Sequence, residues 1–336
     1  MNERYNPSVR ALDASQKGCS MKRTRQKRPA VFRLACFVVF LLAAFSFVAC
    51  TNSASADSGQ SASGNKVSAS SSGGFKAPSS LTMPDTSGAS ECIDATHAND
   101  GYVCAAKTSN SRLKLQVSNG DATYNYDMPN DGTPAVAPIN MGDGHYRFRI
   151  MQNTEGSNYV ELECVEQDVK LTSEFAPFLI PNLYCNYNEK SQCTAKAREL
   201  AQSCASEADA FKEVCTFITK NITYDKDKAK KLAGGSGYIP NPDDTLKAKS
   251  GICFDYASLG AAMLRSLGIP TKVVTGYVAP GDLYHAWIMV YADGEWKTGE
   301  FAVSKDAWSR VDLTFAASGS SEFTGDGTSY TDRYVY

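Results

Sequence analysis

The chain predicts an α+β protein, with an N-terminal antiparallel β domain followed by a helix packed on a second antiparallel sheet. Three observations carry this. Between residues 90 and 182, apolar and polar side chains alternate with period two, as in strands with one dry face. Between about 194 and 267, apolar residues recur at spacings of three and four, as along one face of a helix. Beyond 270, β-branched and aromatic runs return, broken at Pro280-Gly281-Asp282 and Asp293-Gly294, both turn signals.

The 336 residues are 43% apolar and 21% charged, an ordinary globular composition with room for two domains. Residues 1–50 read as an export signal. A basic stretch at 22–28 precedes an apolar run at 34–49, the length of a signal-peptide core and short for a spanning helix. Met21 stands just before the basic stretch, so either Met1 or Met21 serves as the start. The run ends in Phe47-Val48-Ala49-Cys50, which resembles the bacterial lipobox. That likeness implies lipidation of Cys50 and a chain anchored on the extracellular face of a bacterial cell membrane. Simple cleavage and an uncleaved anchor helix are the alternatives. Residues 51–89 are rich in Ser, Ala and Gly, too polar and small to offset their ordering entropy, and read as a flexible tether.

Of the 34 basic and 36 acidic residues, 9 and 2 respectively fall in residues 1–50, so the remainder carries an excess of nine acids. An acidic surface repels phosphate backbones, and nucleic-acid binding is excluded on that ground. Eight of the eleven cysteines follow Cys50. Export permits disulfides, and spacing offers Cys92–Cys104, Cys185–Cys193 and Cys204–Cys215. The last pair would stand about 16 Å apart in one straight helix, so it requires a bend, which Ser206 as an N-cap permits. No CxxC occurs and the three histidines are scattered, so no metal and no cofactor is expected.

In the β domain (90–182), Leu113, Leu115 and Val117, then Tyr146, Phe148 and Ile150, then Val160, Leu162 and Cys164 mark dry faces. Turns fall at Asn99-Asp100-Gly101, Asn119-Gly120, Asn130-Asp131-Gly132 and Gly142-Asp143-Gly144. The second domain (183–336) begins with helices near 194–203 and 207–220. A Gly/Pro-rich loop at 234–243 follows, with Tyr224-Asp225 before it read as structural. Ser250 then caps a helix of about fifteen residues opening at Cys253. Gly260 within that helix implies close approach to another backbone. A thiol at a helix N-terminus feels unpaired amides and the dipole, which favour thiolate. Strands are expected at 271–279, 284–291, 295–303 and 307–315. His285 stands near the start of the second, and Asp312 is embedded in the last between Val311 and Leu313. A carboxylate there calls for a partner.

The run Gly251-Ile252-Cys253-Phe254-Asp255-Tyr256-Ala257, continuing to Ile269-Pro270, resembles the nucleophile segment of the transglutaminase-like superfamily. Tyr277, His285-Ala286-Trp287 and Trp296 continue the pattern, and Asp312-Leu313-Thr314 resembles its Asp-Pro-Thr segment with Leu in place of Pro. Glu300 and Asp306 also follow Trp296 but lack a Thr two places on. The resemblance implies a papain-like site with Cys253 as nucleophile, His285 as base and Asp312 orienting the ring. Trp287 would stand in the cleft or serve as a core aromatic, and Asp255 would stabilise the first helical turn. The implied function is attack on amide bonds of an extracellular protein, peptide or cell-wall peptide, with peptidase-like hydrolysis preferred. Protein-glutamine γ-glutamyl transfer (isopeptide crosslinking) and a non-catalytic binding or adhesion module are the alternatives.

Overall fold

Alternating side chains, tight turns and a final block of helix and sheet organise the chain in the order its patterning predicts. The structure is a computed structural model describing residues 74–233, 235, 237–279, 283–291, 296–297, 302–303, 307–319 and 329–336. The export signal, Cys50, the tether to residue 73, the turn at 280–282, the Asp293-Gly294 turn, Glu300 and Asp306 lie outside these residues.

The first half holds β1 (Ile93–Asp94), β2 (Tyr102–Ala105), β3 (Leu113–Asn119), β4 (Ala122–Met128), β5 (Ala135–Pro138), β6 (Gly144–Asn153) and β7 (Tyr159–Val169). Its sheets run β1-β2-β5 and β4-β3-β6-β7, antiparallel throughout. Leu113, Leu115 and Val117 are buried beside Tyr146, Phe148 and Ile150, as alternation requires. Gly120 turns the β3–β4 hairpin at φ 56°, in the left-handed region that a Cβ disfavours.

The edge strand β7 departs from expectation. Val160 and Leu162 are 46% and 42% exposed, and Cys164 is half-buried beside Arg147. Val165 pairs with Phe148 on the buried face and Cys164 with Arg149 on the other, and the register shift between Ile150 and Met151 leaves Leu162 without a partner. One slipped residue inverts the face.

The second half holds α1 (Gln192–Ala201), α2 (Glu207–Asn221), β8 (Thr223–Tyr224), α3 (Lys226–Leu232), α4 (Pro242–Ala248), β9 (Ser250–Gly251), α5 (Cys253–Ser266), β10 (Thr271–Val278) and β11 (Leu283–Tyr291). It continues with β12 (Trp296–Lys297), β13 (Ala302–Val303), β14 (Trp308–Val311), α6 (Leu313–Ala317) and β15 (Tyr330–Val335). The sheet order is β14-β11-β10-β15. Helix α5 packs on β11 and β10 and against α1, α2 and α4, which is the α+β, transglutaminase/papain-like arrangement.

Ser206 caps α2 by accepting from the Asp209 N–H, as its position predicts. Ser250, however, does not cap α5. It is drawn into a parallel bridge between β8 and β9, held by Thr223 N–H to Lys249 O and Asp225 N–H to Gly251 O. The N-cap is Ile252, whose N–H donates to Asp255 Oδ2 at 2.8 Å. Of the strand expected at 295–303, the described residues form β12 and β13, which pair antiparallel with each other. At Gly260 a Cβ would stand 2.5 Å from Leu313 Cδ1 and 3.5 Å from Ile288 Cδ1, so its close neighbours are side chains of α6 and β11, not a backbone.

The eight described cysteines are all free. Cys104 lies opposite Asp94, and the Ala106 N–H bonds Cys92 O, so the two thiols are diagonal rather than facing, too far for a disulfide. Their sulfurs donate to Gly88 O and Asp85 O. Cys185 donates to Ser258 O and Cys204 to Leu200 O.

From Asp255 to Ser266, α5 is buried on every side. Arg265, 2% exposed, donates to Thr271 O at 2.7 Å, Ile180 O at 2.8 Å and Tyr336 O at 2.8 Å. These bonds join the end of α5 to the start of β10, the link before α1 and the last residue of the chain. Replacing Arg265 by Met removes the donor that meets Thr271 O and Ile180 O, while Tyr336 O keeps the Val273 N–H. The expected loss is about 3 kcal/mol of unfolding free energy, measured as a lower urea midpoint at unchanged m-value.

Candidate active site

Three elements bring the sequence-selected residues together. Cys253 begins α5, His285 sits on β11 opposite Gly276 of β10, and Asp312 follows β14. The pairing partner at Gly276 is constrained. A Cβ there would stand 2.1 Å from Thr331 O and 2.8 Å from Trp287 Cη2, so only glycine lets β15 close beside the histidine.

Asp312 is not within a strand. It caps α6, its Oδ1 accepting from the Thr314 N–H at 3.1 Å and the Phe315 N–H at 3.0 Å. The β-rich look of Val-Asp-Leu-Thr-Phe hid an Asp in a cap position, where a short carboxylate meets orphan amides. Oδ2 faces the other way, 2.8 Å from His285 Nε2, and also accepts from Tyr330 OH at 2.9 Å. His285 and Asp312 are 4% and 3% exposed. Phe315 stacks on the imidazole, centroids 4.5 Å apart at 17°, which fixes the ring plane.

Nε2 is engaged by Asp312, and Cys253 and His285 line the same cleft. Burial pulls the His285 pKa down. Hydrogen bonds to Asp312 and Cys253, with the fields of both, outweigh it and raise the value from 6.5 to about 10.

Cys253 is half-buried and opens into a cleft of about 500 Å³. Its walls include Tyr184, Tyr224, Tyr238, Tyr284 and His285, with Leu232 and Ala229 from α3. Burial raises the thiols of Cys104 and Cys185 to about 12 and about 11, and raises Cys193 and Cys215 further. Those four are poor nucleophiles. Cys92 and Cys164 are half-buried but line none of this cleft.

Trp287 is not a cleft residue. At 1% exposure it packs with Val274, Val278, Phe315 and Tyr330 behind the histidine. Its bulk is apolar and the sheet gives it a dry face, so burial wins. Sequence reasoning missed Tyr330, whose signal is only an aromatic on a late strand. It also took Tyr224 as structural, although Tyr224 lines the cleft. Asp255 does stabilise the first turn of α5, and it is fully buried. No cluster of three or more His, Cys, Asp or Glu that could hold a metal is present among the described residues.

Residues 194–312 match the transglutaminase-like superfamily, and the match ends on Asp312. Among curated proteins, one from Methanocaldococcus jannaschii is 37% identical over 57 residues, 16% of each chain. An uncharacterised protein from Mycobacterium leprae is 32% identical over 81 residues, covering 21% of this chain and 29% of its own. The chain thus spans less than a third of the length of either relative. Solved structures include a proposed cysteine protease from Cytophaga hutchinsonii, at 15% identity and TM-score 0.31, covering 70% of this chain and 84% of that one. Red sea bream transglutaminase is similar at 12% identity and TM-score 0.25, covering 63% and 48%. These scores carry no argument about activity.

The His285 shift fixes a sign for stability. The folded state holds this proton more tightly than the unfolded chain, so its contribution is full below pH 6.5 and is lost as pH rises through about 10. The urea midpoint of the wild type is expected to fall across that window. His285→Gln removes that part of the slope. Parallel curves for both proteins would contradict the assignment.

Proposed function

We propose that the chain is a thiol enzyme that breaks amide bonds of proteins or peptides, with Cys253 as nucleophile, His285 as general base and acid, and Asp312 orienting the ring. The observation that carries this reading is a half-buried thiol at a helix N-terminus that opens into the same cleft as an imidazole standing 2.8 Å from a buried carboxylate.

His285 holds the proton given up by Cys253, and the sulfur, as thiolate, attacks the carbonyl carbon. Amides at the α5 N-terminus, that of Cys253 included, stabilise the oxyanion. His285 then donates its proton to the leaving amine, and a thioester remains. Throughout, Asp312 holds the ring and stabilises its charged form. Water, deprotonated by His285, releases the acid and restores the thiol. Hydrolysis is the preferred outcome, because a cleft open to an aqueous exterior supplies water. The substrate class is an extracellular protein, peptide or cell-wall peptide, and the chain is held on the outer face of a bacterial membrane through lipid on Cys50.

A second reading is amine transfer, in which a lysine amine in place of water gives an isopeptide bond. The tyrosine-rich cleft wall favours it, since apolar rings restrict water at the thioester.

The test begins with alkylation of the full chain by iodoacetamide at mildly acidic pH, mapped by mass spectrometry. Cys253 is expected to react first, and His285→Ala to slow it at least about tenfold. Equal labelling in both proteins would sink the thiol-enzyme reading. Glutamine-containing peptides, incubated with and without a labelled primary amine, then separate the outcomes. Ammonia or a new peptide terminus indicates hydrolysis, and label incorporation indicates transfer. An activated Cys253 without either product would favour a binding module.

A further inference from the structure

The charge nearest the nucleophile on its own helix is Asp255, which is fully buried, and its solvation is supplied entirely by protein. Oδ2 accepts from the Ile252 N–H at 2.8 Å and from Lys228 Nζ at 2.7 Å, and Oδ1 accepts from Tyr238 OH. Gly251 makes room for it, since a Cβ there would stand 2.6 Å from Asp255 Cβ. Lys228 belongs to α3, and its ammonium also lies 4.7 Å from the centre of the Tyr238 ring. Tyr238, and Ala229 and Leu232 of α3, line the cleft into which Cys253 opens. One cation therefore does two things: it neutralises a carboxylate two residues from the thiol, and it pins a cleft wall to the nucleophile helix.

We propose that Lys228 is a positioning residue for Cys253: it cancels the buried Asp255 charge that a thiolate would otherwise face and, with Tyr238, holds α3 against the start of α5. This rests on Cys253 being the nucleophile. Other titratable groups face the pair from every side. They are Tyr224 of β8, Tyr238, His285 of β11 with Asp312 behind it, Tyr256 one turn along α5, and Asp127 on the far wall. Of the cations, His285 is bound to Asp312, so Lys228 is the ammonium that meets Asp255. Its side chain is 31% exposed, so loss of its charge leaves no large cavity.

The experiment follows the rate of Cys253 alkylation by iodoacetamide against pH, across roughly pH 5–9, in the full chain. Lys228→Met is expected to move the profile upward by about one unit, about tenfold slower on the acid limb. Lys228→Arg keeps the wild-type profile. In the double variant Lys228→Met/Asp255→Asn no negative charge needs cancelling, and the profile returns towards wild type. A Lys228→Met profile that superimposes on wild type overturns the proposal. So does a double variant that stays as slow as Lys228→Met, which would mark loosened packing. If circular dichroism shows the double variant unfolded, the contrast between Met and Arg decides alone, equal profiles overturning the proposal. Turnover is not required, so absence of amide chemistry leaves this test intact. Failure of the nucleophile reading shows separately, as a His285→Ala profile identical to wild type.

Discussion

Helix α5 is surrounded on all sides, and most of the second half of the chain is arranged to make that possible. A buried helix satisfies its own backbone but not its polar side chains. Ser258 meets Tyr184 O, Ser266 meets Met263 O, and Arg265 meets three carbonyls from separate segments. An arginine can do this because its planar fork offers five donors in fixed directions. Its partners are backbone oxygens of three separate segments rather than an acidic side chain. The remaining end of the helix carries the consequence. Its first residue, Cys253, is half-buried and meets the cleft.

Asp312 links that helix to the histidine by serving two structures at once. One oxygen caps α6 and the other meets His285. The following residue, Leu313, fills the space that Gly260 leaves on α5. Movement of α6 would disturb cap, packing and ring orientation together. Site geometry is therefore set by core packing rather than by a loop. Phe315 on the ring face and Tyr330 on the carboxylate close the remaining freedom.

What was legible in the sequence follows from how local each signal is. Period-two runs in β3 and β6, the Ser206 cap and the α5 span are decided by nearest neighbours, and they were readable. The family-like spacing located Cys253, His285 and Asp312, but not how Asp312 is held. Val-Asp-Leu-Thr-Phe fits a strand by propensity, and only the α6 amides make it a cap. Helix α4 had a readable start in Asn241-Pro242, an N-cap followed by proline at the first helical position, yet the preceding glycines concealed it. Leu162 falls at a register shift in β7's pairing with β6 and has no partner there, which one strand's sequence cannot encode. Likewise Lys228 and Asp255 lie 27 positions apart, and nothing local joins them.

The thiols show how a single residue type is sorted by environment. Cys104, Cys185, Cys193 and Cys215 occupy dry sites, where burial disfavours the anion. They behave as small apolar residues, and their immediate partners are backbone carbonyls or packed neighbours rather than one another. Cys253 differs in three respects: it opens a helix, it shares a cleft with His285, and the buried acid two residues on is paired with Lys228. What sets this sulfur apart is therefore its place in the fold, at the start of a helix and on the wall of a cleft, and not its residue type.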